Sequence, residues 1–494
     1  MGRFFSVISL LLLFYVSNAQ RLVLRGDYPD PSVVKIADEY WTTATTSNWA
    51  PAYPFMKSKD LVNWKTVTHV FPKLPEWADY YFWAPEISFD KGKVYVYYAA
   101  HKKGGNLCIG VASADKPGGP YTDHGPLMCQ EVGSIDAFPM RDENGKLYLI
   151  WKEDANSVGR PTPIWAMEMN EERTKLVGEK KELFRNDTPW ESNLVEGVSM
   201  IKQGEYFYAF YAGAGCCGAA CSYGVGVARS KSLLGSWEKY KNNPVLTNTT
   251  GWTCPGHGTP VEKDGRHYFM FHAYDRQSNI YTGRQGLLTE YKFTGDGWIE
   301  FVKDNSPVDV PIKNTSENFR GKKLPSDWQW SVFQQPQYKM KWGELYLSAF
   351  SSPSGAFLAH KTITGNYTAT TKLHIKKSTA SPGLAIIGDE SNMISVVYSN
   401  DSLKLMQLKA GKETVIVGTT LTSSKKMYLQ AQVANGHDIS FYYGKDKNHL
   451  LQLNTSPVNG SYLPPWDRAI RIGLISKGEV GRKAVFDSFE LISQ

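Results

Sequence analysis

Three acidic residues, Asp30, Asp136 and Glu196, each open a stretch of one design: a short apolar strand, a turn with Gly or Asp, then an aromatic-rich strand. Carboxyl groups used in this way suit the cleavage of a glycosidic bond. One protonates the leaving oxygen, and a second activates water or attacks the sugar. A third carboxylate in the same confined site raises the proton affinity of the acid and keeps it protonated near neutral pH. Taken singly, each reads equally well as a turn or capping residue, Asp30 before Pro31 most of all. The set of three, with His257 opening a further stretch of the same design, points to catalysis.

The elements that must position them follow from an internal repeat. Five segments share the pattern: Asp30-Pro-Ser-Val-Val, Ala84-Pro-Glu-Ile-Ser, Asp136-Ala-Phe-Pro-Met, Glu196-Gly-Val-Ser-Met and His257-Gly-Thr-Pro-Val. Each leads to a tyrosine, at positions 40, 95, 148, 206 and 268, spaced 55, 53, 58 and 62 residues apart. Short strands with hairpin turns such as Glu143-Asn144-Gly145 and Lys263-Asp264-Gly265, repeated at that length, are what propeller blades need. Helical periodicity is nearly absent, so the fold class is all-β, with a five-bladed β-propeller over residues 22–310. The innermost strands of a propeller line its axis, and the openers Asp30, the Trp83-Ala84 pair, Asp136, Glu196 and His257 are expected to converge there. A purely structural axis is lined with small apolar side chains, because buried carboxylates are costly without compensation.

Residues 303–318 read as a linker. Beyond it, alternating strands such as Gly343 to Phe350, Met393 to Tyr398 and Ile439 to Tyr443 predict a β-sandwich over 318–494.

The remaining composition narrows the setting. Arg3, the apolar run from Phe4 to Val16 and Ser17-Asn18-Ala19 form the pattern of a cleavable signal peptide over 1–19, so the protein is expected to be secreted or periplasmic. No Cys follows the cut, which argues against a lipid anchor, and no later stretch is apolar enough to span a bilayer. The net charge of +7, from 55 basic and 48 acidic residues, is spread along the chain and gives no nucleic-acid footprint. Six cysteines in an exported chain suggest disulfides with fifteen possible pairings. Cys108 and Cys129 lie close in sequence, whereas Cys216, Cys217, Cys221 and Cys254 form a second set whose spacing fits no common zinc finger. Aromatics make up 13% of the chain, which suits stacking on sugar rings as well as packing.

Tyr28-Pro29-Asp30-Pro31-Ser32, Trp83-Ala84-Pro85-Glu86-Ile87, Ser134-Ile135-Asp136, Val195-Glu196-Gly197 and Gly256-His257-Gly258 resemble, in order and spacing, the signatures of glycoside hydrolase family 43. The resemblance covers nearly all of 22–310. It implies a five-bladed propeller acting with inversion on arabinose- and xylose-containing plant polysaccharides. It also implies Asp30 as general base, Glu196 as general acid and Asp136 as the residue that tunes that acid. Ala137 stands where family members often have Pro, while the aligned Phe138 is kept as a candidate substrate contact. By the same resemblance Arg284 reaches the sugar, Trp83 offers a stacking wall, and His257 binds substrate or stands beside a structural calcium. No cofactor is required. The segment after Asn318-Phe319 is similar to the concanavalin-like (jelly-roll) sandwich appended to many family members, which can lend a loop to the active-site rim or bind carbohydrate. The leading reading is release of α-L-arabinofuranosyl residues, with β-xylosidase and endo-arabinanase as alternatives. A non-catalytic sugar-binding propeller is the alternative of another class. Fructoside-cleaving propellers of family 32 fit poorly, because their Glu-Cys-Pro motif is missing.

Overall fold

The computed structural model describes residues 20–277, 279–302, 310–421 and 424–494. The leader expected over 1–19 and the 303–309 part of the linker lie outside them.

Four antiparallel sheets of four strands follow one another along the chain. The first blade comprises Ser32–Ile36, Glu39–Thr43, Ala52–Ser58 and Lys65–Phe71; the second comprises Trp83–Asp90, Lys93–His101, Leu107–Ala114 and Thr122–Cys129. The third runs from Ser134–Arg141 through Leu147–Glu153 and Pro163–Met169 to Leu176–Arg185, and the fourth from Val195–Gln203 to Glu238–Lys239. The fifth blade takes Trp252–Lys263, Arg266–Asp275 and Arg284–Phe293 from late in the propeller, and both the early strand Arg21–Leu24 and the short Ile299–Phe301 pair with Arg284–Phe293 to complete its sheet of five. This join ties the two ends of the ring together. Each innermost strand adjoins those of the two neighbouring blades, so the five surround one axis.

Burial follows position in the blade. The middle strand Tyr206–Gly213, covered on both faces, is apolar almost throughout, whereas the outer strand Thr122–Cys129 alternates between exposed and half-buried. The hairpins are tight. Lys91-Gly92 and Asp264-Gly265 each have both residues at positive φ, the two-residue turn whose twist matches that of the paired strands.

The C-terminal region packs a nine-stranded sheet on a six-stranded one around a core that includes Leu345, Leu358, Ile386, Phe441, Leu474 and Phe486. It is fastened to the propeller. Trp330–Ser331 pairs with Trp49–Ala50 of the first blade, and the buried Arg471 binds Asp27 at 2.9 Å. All six cysteines are paired, as Cys108–Cys129, Cys216–Cys217 and Cys221–Cys254. The second cysteine set therefore has no thiolate left for zinc.

Candidate active site

One local device aims the inner strands at the axis. Asp30, Ala84, Asp136, Gly197 and His257 stand at matching places, and all five have positive φ, from 26° to 62°. Four of the five inner strands carry a register shift beside that residue, the signature of a β-bulge re-aiming a side chain. Positive φ at three bulky polar residues is a strained choice of the kind found at functional sites. Glu196 is displaced from the register expected of it. It stands one residue before the matching position, level with Trp83 and Ile135, because Gly197 takes the left-handed place. Glycine is required there: a Cβ on Gly197 would lie 2.7 Å from Cγ of His257.

The three carboxylates have distinct surroundings. Asp30 accepts hydrogen bonds from Arg284 (3.0 Å) on Oδ1 and from Thr45 (2.7 Å) on Oδ2. Burial pushes its carboxyl up, but the Arg284 guanidinium together with His272 and His257 outweighs this and holds it well below the usual range, so Asp30 stays ionised. Asp136 accepts the backbone N–H of Gly197 at 2.8 Å. Glu196 accepts from the buried ammonium of Lys152 at 2.5 Å. Burial is the largest influence on both Asp136 and Glu196; His257 and Lys152 draw Asp136 down while Asp30 raises it, Lys152 draws Glu196 down while Asp136 raises it, and both end above their ordinary values. The site thus holds one ionised carboxylate beside two with raised proton affinity, as an acid and a base working together require. His257 lies between the two groups, its Nδ1 3.6 Å from Asp30 and 3.9 Å from Asp136.

Trp83 stands on the rim. It stacks on Tyr81 at 4.3 Å and donates its indole N–H to Ser47 (3.0 Å) and to Asp467 (3.1 Å). Asp467 belongs to the sandwich. Its carboxylate also accepts from Ser47 (2.5 Å), and its carbonyl accepts from Arg284 (3.3 Å). The neighbouring Trp466, 51% exposed, meets Trp83 edge to face at 5.9 Å. The loop holding the Cys216–Cys217 disulfide packs beside Trp466, where a Cβ on Gly218 would lie 3.2 Å from the Trp466 carbonyl oxygen, and it brings Cys216 Sγ 3.7 Å from Arg284. The rim is therefore built by both domains.

Of the residues singled out in the sequence, Asp30, Asp136, Glu196, His257 and Arg284 meet around the axis, and Trp83 flanks them. Phe138 is buried in the apolar cluster between the third and fourth blades, with Val195, Val198 and Tyr211. Among the described residues no group of three or more His, Cys, Asp or Glu side chains is arranged to hold a metal ion, so the calcium reading of His257 finds no side-chain ligand set around it. Four residues were not anticipated: Lys152, His272, Glu86 and Asp467. The buried His272 accepts the backbone N–H of Asp30 on Nδ1 at 3.0 Å, and burial pushes its pKa down to about 4, so it is neutral. Glu86, in the inner strand of the second blade, is pushed up to about 8 by burial and is protonated at neutral pH.

A propeller whose axis ends in three differently tuned carboxylates under a two-domain rim defines a carbohydrate-active class. The chain belongs to it by sequence: residues 19–299 match the model of glycosyl hydrolases family 43, and 316–490 match that of the β-xylosidase C-terminal concanavalin A-like domain. The protein is a member of glycosyl hydrolase family 43. It is 28% identical over 281 residues to a xylan 1,3-β-xylosidase of Vibrio sp, covering 53% of this chain and 50% of the relative. It is 26% identical over 317 residues to a xylosidase/arabinosidase of Butyrivibrio fibrisolvens, covering 59% of each. The chain thus spans about half the length of these two curated relatives. With a non-reducing end α-L-arabinofuranosidase of Bacteroides ovatus the identity is 24% over 457 residues, 82% of this chain and 81% of the relative. A family 43 protein from Bacillus licheniformis shares the fold with TM-score 0.82 at 22% identity, over 96% of this chain and 100% of that one.

Proposed function

We propose that the protein hydrolyses terminal pentosyl linkages of plant cell-wall polysaccharides by a single, inverting displacement, with α-L-arabinofuranosides of arabinan or arabinoxylan as the leading substrates. The observation that carries this is the contrast between Asp30, kept ionised by Arg284 together with His272 and His257, and Glu196, kept above its usual proton affinity by burial and Asp136. In this reading Asp30 takes a proton from water, which attacks the anomeric carbon. Glu196 gives its proton to the glycosidic oxygen as that bond breaks, and the Asp136 carboxylate raises the proton affinity of Glu196 beforehand. Arg284 and His257 hold Asp30 and the sugar, and Trp83 supplies a flat apolar face for the ring.

Trp466, Asp467 and the Cys216–Cys217 loop pack together as one wall of the rim beside Arg284. Relatives named as xylosidases and as arabinofuranosidases support β-xylosidase activity as a second reading. Three disulfides and the apolar leader support export, and no helix among the described residues is long and apolar enough to cross a membrane.

The test is hydrolysis of paired nitrophenyl glycosides, the α-L-arabinofuranoside and the β-D-xyloside, by wild type and Asp30→Ala. Arabinoside cleavage lost in Asp30→Ala supports the reading, and xyloside cleavage alone moves the specificity to the second reading. Undiminished turnover by pure Asp30→Ala removes Asp30 as base.

A further inference from the structure

Lys152 lies on the second strand of the third blade, its backbone paired with Ile135 on one side and Ile164 on the other. From there its side chain runs beneath the inner strand to the carboxylates. The residue is 2% exposed, and its ammonium donates to Oε2 of Glu196 at 2.5 Å and to Oδ1 of Asp154 at 3.0 Å. A lysine buried this deeply is costly unless its charge is compensated. Burial draws its pKa down, but Glu196, Asp154 and Asp136 more than restore it, so the ammonium stays charged. Glu196 consequently has two unlike oxygens. Oε2 accepts from a cation, and among the described residues Oε1 carries no hydrogen bond. A proton on Oε2 would meet the hydrogens of the ammonium, so the carboxylic proton belongs on Oε1.

We propose that Lys152 is a positioning residue for the general acid: it occupies Oε2 of Glu196, leaves the transferable proton on Oε1, and stabilises the carboxylate that remains when that proton has gone to the leaving oxygen. This rests on the reading of Glu196 as the acid. The balance is simple. The O–H bond at Oε1 breaks as a new one forms on the glycosidic oxygen, the anomeric C–O bond breaks, and the water that adds gives its proton to Asp30. Asp136 and Lys152 then act in opposite senses on one group, Asp136 keeping Glu196 protonated before the step and Lys152 favouring its deprotonation during it. The other titratable groups around Glu196 are Asp154, just past the strand of Lys152, His257 on the inner strand of the fifth blade beside Asp136, and the Asp30–Arg284 pair.

The experiment is the pH profile of kcat/KM on a nitrophenyl glycoside for wild type, Lys152→Met, Lys152→Arg, Asp154→Asn and Glu196→Gln. The alkaline limb reports the group that must be protonated. Removing the cation in Lys152→Met is expected to move that limb up by roughly 1–3 pH units, the usual influence of one opposite charge at this range. The same change lowers kcat more than it raises KM, and Lys152→Arg restores the limb. Asp154→Asn leaves the cation less compensated and moves the limb down, which decides the matter if Lys152→Met fails to fold. An alkaline limb unmoved in Lys152→Met, or displaced downward, overturns the proposal even if activity falls. A limb that persists in Glu196→Gln shows instead that the acid has been misassigned.

Discussion

The indole N–H of Trp83 is hydrogen-bonded to the carboxylate of Asp467, 384 residues further along the chain and in the other domain. The same carboxylate binds Ser47 of the first blade, and its backbone carbonyl binds Arg284. The sandwich therefore reaches the side chain that holds Asp30, and its position bears on the geometry of the base.

Truncating Trp466 tests the part the sandwich plays in binding. Trp466→Ala removes an exposed aromatic face beside Trp83 and should raise KM about 2- to 10-fold, the range of one aromatic contact, with a smaller change in kcat. Steady-state kinetics on the better of the two nitrophenyl glycosides gives the answer. An unchanged KM would mean that the loop only fastens the domains.

Removing the acid should cost most where the leaving group needs it most. Glu196→Ala is expected to lose about 10²–10⁴-fold in kcat on an oligosaccharide, and far less on an activated aryl glycoside. Equal losses on both would count against Glu196 as proton donor.

Glu86 gives the protein a pH-dependent weakness. Its folded value of about 8 lies above the unfolded value of 4.5. Folding therefore takes up a proton between those pH values, and the stability tied to this group declines as pH rises from about 4.5 to about 8. Glu86→Gln keeps an acceptor for Thr259 and removes the ionisation. Its melting temperature should exceed that of wild type at pH 9, with the gap shrinking at pH 5. A constant difference at both pH values would show that Glu86 ionises without cost.

Gly197→Ala should be among the most damaging small substitutions near the axis. The added methyl meets His257, and the residue must keep φ at 62° to donate its N–H to Asp136. A loss of about 1–3 kcal/mol is expected from the backbone conformation alone. Thermal unfolding together with activity measures it, and a variant with wild-type values of both would refute the close approach.

The reactive side chains were legible because the repeat marks them. Asp30, Asp136 and His257 share a left-handed backbone position at the axis, and it recurs in sequence as a polar residue before a short apolar run. Glu196 was found by type but placed one residue out of register, although Gly197 beside it carried the information: glycine occupies the left-handed place that Asp136 fills in the third blade. Lys152 was not legible. It falls in Trp151-Lys152-Glu153-Asp154, which reads as a charged strand end turned to solvent, and only the packing of two strands buries it. His272, inside the apolar strand Arg266–Asp275, reads as an ordinary core histidine. Trp466 and Asp467 are joined to the site by tertiary contact alone, as is Arg21–Leu24, whose pairing closes the ring. Fifteen cysteine pairings were open to the sequence, and the choice among them depends on distances that only the fold supplies.

The stereochemistry of the first-formed product tests the role of Asp30 most directly. Hydrolysis of the nitrophenyl glycoside would be followed by proton NMR from the first minutes, before the free sugar mutarotates. A sugar of inverted anomeric configuration is expected, because water activated by Asp30 attacks once from the face opposite the leaving group. A product of retained configuration would contradict this, and would make the Asp30 carboxylate a nucleophile in place of a base.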